Sequence, residues 1–316
     1  MTKSSLGVGE KRVSILMSTF QGGKYLPEQL ESIRSQTFRH WRLFVSDDGS
    51  TDNTLRILLD FQASVDPDQV VIVAGPRKGF AANFMSLLLN PSIEGDYFAF
   101  CDQDDVWKEE KLAIAISNLE SQSDLGKRPA VYGSATIVVD DDLNVLGKSP
   151  VAHPVPSFGN ALVQNIVSGN TIVLNKKMRE LLLQIGNVEV VSHDWWIYLI
   201  CTGVGGVFYF DEKPEILYRQ HTNNLIGAAS SKRPQVPRLK QLMNGRFKRW
   251  MDINLNALEN AKSVLTSENI NVMEHLALLR KMSLGCRLVE LRRSGIRRQS
   301  WRGNLGLFSA CLLNLL

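Results

Sequence analysis

Apolar positions in the first 130 residues alternate between two spacings. Short unbroken runs at Val13–Ser18, Trp41–Ser46, Val70–Ala74 and Tyr97–Cys101 have the length and make-up of buried strands. Between them, Tyr25–Gln36 sets Leu26, Leu30 and Ile33 at helical spacing, and Thr54–Phe61 and Phe80–Leu89 read as two more helices. Strands alternating with helices predict an α/β fold built on a doubly wound, mostly parallel sheet. A helix is expected after Trp107, running to about Glu120, then a strand over Ala130–Val139. Further strands are expected at Ile172–Leu174, Val207–Phe210 and Glu215–Tyr218, with a helix around Asp194–Cys201. The proline-rich stretch Gly147–Gly159, which includes His153, reads as a loop.

The pattern changes near Ser231. Ser230-Ser231-Lys232-Arg233-Pro234 and Pro237 suggest a linker, so a catalytic domain is placed at about residues 10–228 and a helical extension at 229–316. Helices are expected around Ala257–Leu265 and Val272–Val289, before the apolar Leu305–Leu316. The extension holds the positive charge: from residue 231 onward there are 16 Lys/Arg against 5 Asp/Glu, leaving 20 against 27 before it. Its basic residues alternate with leucines rather than exposed aromatics, which argues against nucleic acid. Leu305–Leu316, preceded by Arg292, Arg293, Arg297, Arg298 and Arg302, suits interfacial binding to an anionic membrane surface. A terminal helix docked on protein satisfies the same pattern.

Cys101, Cys201, Cys286 and Cys311 are too scattered for a zinc site or a disulfide framework, and read as buried or incidental thiols of a reducing compartment. Met1–Arg12 lacks an apolar signal core and no run is long enough to span a bilayer, so the expected location is cytoplasmic.

Open α/β sheets bind ligands at the carboxyl ends of their strands. Those ends hold Ser18-Thr19-Phe20, Asp47-Asp48-Gly49-Ser50 and Asp102-Gln103-Asp104-Asp105. The three carboxylates of the last group repel one another, and a divalent cation shared with a diphosphate is one compensation. Mg2+ or Mn2+ takes one or two carboxylates and fills its shell with phosphate oxygens. A solvated acidic turn before a helix is the plainer reading. Asp47 reads either as part of an Asp-Gly turn or as the acceptor for the imide N–H of uracil or thymine, with Ser18–Phe20 supplying backbone hydrogen bonds and an aromatic face. Asp194, before Trp195 and Trp196, is in isolation a helix cap with two core indoles. Gly-X-Ser-X-Gly, Walker and dinucleotide motifs are absent.

Taken in order, Val13–Phe20, Tyr25–Thr37 and Asp47-Asp48-Gly49-Ser50-Thr51-Asp52-Asn53-Thr54 closely resemble the amino-terminal signature of the family 2 glycosyltransferases. Asp102-Gln103-Asp104-Asp105-Val106-Trp107 is similar to that family's Asp-X-Asp metal motif, and the resemblance runs from about Val13 to Gly227. It implies a GT-A-like fold and a metal-dependent, inverting transfer of a sugar from a UDP- or dTDP-sugar to an acceptor hydroxyl. Residue by residue, it implies donor contacts from Thr19, Phe20, Asp47, Asp102, Gln103 and Arg219. It implies a Mg2+ or Mn2+ site at Asp104 with Asp102, Asp105 and His221. His193-Asp194-Trp195-Trp196 resembles the segment that carries the catalytic base, which implies that Asp194 is the base and that Trp195 and Trp196 face the acceptor; Ser168-Gly169-Asn170-Thr171 resembles the small turn before the acceptor strand, which implies that Gly169 lets a substrate approach the backbone. Asp-Gln-Asp-Asp-Val-Trp, His-Asp-Trp-Trp and Tyr-Arg-Gln-His together are most similar to bacterial rhamnosyltransferases of cell-surface polysaccharide assembly. That implies a glycan or lipid-linked glycan acceptor and a protein peripheral on the inner face of the plasma membrane. The competing readings are a nucleotide-binding module and a nucleotidyltransferase.

Overall fold

The computed structural model describes residues 11–122, 124, 126–151, 155–221, 245–279 and 281–316. His153, the linker expected at 230–237 and the residues after His221 in its segment lie outside these. Seven strands form the main sheet: β1 (Val13–Thr19), β2 (Trp41–Asp47), β3 (Val70–Ala74), β4 (Tyr97–Cys101), β6 (Ala130–Ser134), β9 (Val173–Asn175) and β10 (Val207–Asp211). Their order is β10-β6-β9-β4-β1-β2-β3, and only β9 runs antiparallel to its neighbours. The expected mostly parallel α/β sheet is therefore present.

Side chains of β1 alternate between two cores, one on each face of the sheet. Val13, Ile15 and Met17 join Leu43, Val45 and Ala99, while Leu16 joins Phe44, Phe84 and Phe100 on the other side. The helices that cover these faces are α1 (Leu26–Arg34), α2 (Thr54–Ala63), α3 (Phe80–Leu88), α4 (Lys111–Gln122), α5 (Phe158–Ala161), α6 (Lys176–Ile185) and α7 (His193–Gly203). In register, Thr19 sits opposite Asp47 and Met17 opposite Cys101. The loops after β1, β2 and β4 therefore leave the sheet side by side.

The strand expected over Ala130–Val139 is two strands in two sheets. β6 stays in the main sheet, and the chain turns out at Ala135-Thr136 into β7 (Ile137–Val139). Ala135 N–H still donates to Asp211 O, whereas Thr136 N–H turns to the Ser149 hydroxyl. β7 joins β5 (Val106–Trp107), β8 (Val145–Lys148) and β11 (Ile216–Arg219) in a small sheet of order β5-β11-β7-β8. Its position matters because β5 follows Asp105 directly.

Among the described residues four further helices follow: α8 (Arg246–Asn260), α9 (Ser267–Leu279), α10 (Leu284–Arg293) and α11 (Trp301–Leu312). The single helix expected over Val272–Val289 is thus two helices. Leu258, Leu276, Leu279, Leu291 and Leu307 belong to the same buried cluster as Leu16, Phe84 and Trp196. No helix among the described residues is long and apolar enough to cross a membrane.

Because the C-terminal helices share the core of the sheet, a cavity made in them should weaken the whole chain. Leu276→Ala is expected to cost about 2–5 kcal/mol and to lower a single thermal transition. A separate early transition for the C-terminal helices would contradict that shared core.

Candidate active site

The first wall of the site is a set of clasps between neighbouring loops. Asp47 Oδ1 accepts from the N–H groups of Gly49 (3.1 Å) and Ser50 (2.8 Å), and Oδ2 from the hydroxyls of Thr19 (2.9 Å) and Ser50 (2.6 Å). A carboxylate has about four acceptor positions, so all are engaged, and a base imide would have to displace one of these donors. Gln103 is likewise occupied. Its Oε1 accepts from Phe20 N–H (2.9 Å) and its Nε2 donates to Phe20 O (3.0 Å), tying the β1 loop to the β4 loop. A Cβ on Gly22 would sit 2.2 Å from Gln103 Oε1, so that amide fits only against a glycine. Phe20 itself stands 55% exposed beside this pair, as an aromatic face for a base requires.

The acidic loop after β4 contains carboxylates in different states. Asp105 is fully buried; its oxygens accept from Asn170 Nδ2 and from Arg219 N–H. Burial, then the charges of Asp104 and Asp102, push its carboxyl well above the usual range. Asp105 thus anchors the loop, and an exposed metal-ligand role is not what its surroundings show. Asp104 Oδ2 lies 2.8 Å from His221 Nε2, and the His221 ring stacks on Tyr25 with centroids 5.0 Å apart. Asp102 is half-buried, and burial followed by the charges of Asp104 and Asp194 raises its pKa.

Arg219 is corrected by its burial. Its guanidinium donates to Asp104 O (3.0 Å), Asp141 O and Glu28 Oε2 and lies over the Tyr25 ring. The phosphate contact expected of it is replaced by this bracing of the acidic loop. β11 delivers both Arg219 and His221, because it pairs with β5 on one side and β7 on the other.

No three His, Cys, Asp or Glu side chains among the described residues form a ready-made metal cage. Asp104 with His221, and Asp102 raised by burial and then by the charges of Asp104 and Asp194, instead fit an ion that takes most of its shell from substrate phosphates and water.

Asp194 lies at the start of α7. Its Oδ1 accepts from Trp195 N–H (2.7 Å) and from the Ser192 hydroxyl, and among the described residues only that oxygen is engaged. Trp195 and Trp196 do not wall the site. Both are buried in the core, where Trp195 Nε1 donates to Ala161 O at 2.7 Å; the apolar face of α7 is too large to leave in water. At Gly169 the close neighbour is protein: a Cβ there would lie 2.5 Å from His193 Nε2. The His193 ring packs against Phe84 and Phe100 at 4.2 and 4.9 Å, and burial lowers its pKa to about 4.

Several positions escaped the sequence reading. Asp48 accepts from the N–H groups of Arg77 and Gly79, and Asn83 donates to Ser18 Oγ and Ser46 O. Asn170 holds Asp105, while Glu28 and Tyr25 hold Arg219 and His221. Only the polar residues on otherwise apolar helix faces, Asn83 and Gln29, gave a signal, since burial of an amide needs a reason.

The parallel sheet thus carries an acidic loop, a paired histidine and a further carboxylate at its carboxyl edge, where open α/β sheets place their ligands. The fold agrees: the UDP-GlcNAc complex of S. aureus TarS 1-349 superposes with a TM-score of 0.54 at 14% identity, over 96% of this chain and 90% of that one. The profile of glycosyl transferase family 2 matches residues 14–146. The chain is 31% identical over 253 residues to the dTDP-rhamnosyl transferase RfbG of Shigella flexneri, covering 77% of this chain and 84% of that one. It is 28% identical over 188 residues to the UDP-Glc:alpha-D-GlcNAc-diphosphoundecaprenol beta-1,3-glucosyltransferase WfgD of Escherichia coli, covering 59% and 68%. The chain belongs to glycosyl transferase family 2 and is a glycosyltransferase; the binding-module and nucleotidyltransferase readings are disfavoured.

Two outcomes follow from this packing. Between pH 6.5 and about 4 the unfolded chain binds a proton at His193 that the native state excludes. The native stability is therefore complete above pH 6.5 and falls toward pH 4, by up to about 3 kcal/mol from this group. Chemical denaturation across that range should show a shallower acid slope in His193→Phe than in the wild type; equal slopes would remove His193 from the account. Gly169→Ala should destabilise by about 1–3 kcal/mol through overlap with the caged imidazole, read as a lower melting temperature.

Proposed function

We propose that the protein transfers rhamnose, with inversion, from a dTDP- or UDP-sugar to a hydroxyl of a glycan or lipid-linked glycan during cell-surface polysaccharide assembly. The place of action is the cytoplasmic face of the plasma membrane. Identity to a dTDP-rhamnosyl transferase supports the donor, and the name of the diphosphoundecaprenol enzyme supports a lipid-linked acceptor. The observation that carries the reading is Asp104 held 2.8 Å from His221, with Asp102 beside them under the charges of Asp104 and Asp194.

The chemistry divides between two carboxylate groups. Asp194, held through Oδ1 by Ser192 and Trp195, presents Oδ2 to the acceptor hydroxyl and takes its proton. The acceptor oxygen then forms its bond to the anomeric carbon as the bond to the diphosphate breaks on the opposite face, which inverts the configuration. The nucleoside diphosphate leaves with the bonding electron pair, and the proton on Asp194 passes to water. Asp104 and His221, with Asp102, would hold Mg2+ or Mn2+, which when bound neutralises charge on the leaving diphosphate. Phe20 offers its exposed ring to the base, and Thr19 and Asp47 hold the loop beside it.

Calorimetry and turnover separate the roles. Asp104→Ala should abolish Mn2+-dependent binding of dTDP and UDP. Asp194→Asn should leave that binding within about twofold and lower kcat by roughly 100- to 10,000-fold. Near-normal turnover by Asp194→Asn would move the base elsewhere, and a folded wild type that binds neither nucleotide would sink the whole reading.

A further inference from the structure

The C-terminal helices and α5 border an open hollow that the transfer reaction does not use. A cavity of about 960 Å3 lies among α5, α9, α10 and α11, within the size of small-molecule sites. Its floor is apolar, built from the buried side chains of Phe158, Leu291, Ile296 and Leu307. Arg292 and Arg297 line it from exposed positions, against a single acidic lining residue, Glu268. An apolar floor below an excess of guanidinium groups matches an amphiphile with a hydrocarbon tail and an anionic head. The wall formed by α5 is bonded to α7 through Trp195 Nε1 to Ala161 O (2.7 Å) and Tyr198 OH to Asn160 Oδ1 (2.9 Å). The cavity therefore stands one short helix away from the helix that carries Asp194.

The outer face of α11 supplies the second observation. Leu307, Ala310 and Cys311 fasten its inner side to the core. On the other side Trp301, Leu305, Phe308 and Leu312 are 72%, 62%, 39% and 45% exposed and fall at helical spacing along one stripe. Phe308 belongs to both the stripe and the cavity lining. From residue 281 onward the chain has seven Lys/Arg and one Asp/Glu. The tail expected either to meet lipid or to dock on protein thus docks with one face and leaves an apolar stripe among arginines on the other. That is the composition of an interfacial helix on an anionic bilayer.

We propose that this cavity binds a single anionic lipid of the bilayer. The hydrocarbon chain fills the space over Phe158 and Leu307, and the phosphate meets Arg292 and Arg297. The Trp301–Leu312 stripe rests among the neighbouring lipids. The proposal deepens the reading of an enzyme working at a membrane and rests on that part of it.

Dodecyl phosphate, below its micellar concentration, serves as the probe in calorimetry on the full chain. One-to-one binding is expected, with inorganic phosphate and dodecyl maltoside each weaker by at least about tenfold. Arg292→Glu with Arg297→Glu, both on the surface, should weaken dodecyl phosphate by at least about tenfold, and Val272→Trp, which fills the cavity, should do the same. Both variants should keep the wild-type affinity for dTDP and UDP. The double-arginine variant should also lose flotation with vesicles of phosphatidylcholine and phosphatidylglycerol. Absence of saturable dodecyl phosphate binding by the folded wild type, or binding that survives the arginine changes, overturns the site. Dodecyl phosphate binding through these residues in a protein that binds no nucleotide would leave the lipid site standing while the transferase reading fell.

Discussion

Mutual repulsion among Asp102, Asp104, Asp105 and Asp194 sets the terms for everything at the carboxyl edge of the sheet. Each additional negative charge in a partly dry site raises the cost of ionising the others, and the fold meets that cost differently at each position. Asp105 is buried and bonded to Asn170 and the Arg219 main chain; Asp104 faces His221; Asp194 takes donors from Ser192 and Trp195. Beneath the loop, Lys111 is buried with Nζ 3.6 Å from the Trp107 ring centre, its pKa lowered to about 7 by burial. Asp102 carries the residual strain, pushed up by burial and by the charges on either side of it. The repulsion thus stays concentrated at Asp102, next to the Asp104–His221 pair.

The helix carrying Asp194 shows how such a site is kept in place. Its first residue is caged among aromatic rings, its second is half-buried, and the next two are indoles locked in the core. A carboxylate at the start of so fully buried a helix has little freedom to wander. The same burial explains why the indoles are not available to an acceptor sugar.

What the sequence made legible was whatever depends on local period. The runs at Val13, Trp41, Val70 and Tyr97 became strands close to their expected bounds, and the motif loops emerged where open α/β sheets place their ligands. What it hid depends on tertiary partners. Nothing in Ala130–Val139 announces that the chain changes sheets at Ala135, since both halves are apolar. The family resemblance implies ligand contacts for Arg219 and Gln103, yet Arg219 is taken up by Asp104 O, Asp141 O and Glu28, and Gln103 by the backbone of Phe20 on the neighbouring loop. Asp47, likewise, reads as a ligand group until its four donors are counted. Trp195 and Trp196 carry no mark of which side of α7 they occupy, because that helix is apolar nearly all round.

The pairing of β11 between β5 and β7 has a consequence for the order in which the molecule comes together. Asp104 and His221 are 117 positions apart in the chain, so their contact closes a long loop and can form only after most of the sheet exists to repay that entropy. During synthesis the whole acidic loop emerges well before its histidine. The segment 14–146 that matches the family profile ends before β11 and lacks both Arg219 and His221. It holds the acidic cluster without the residues that brace it, and the ribosome must deliver some seventy-five further residues before the charges at the sheet edge acquire their partners.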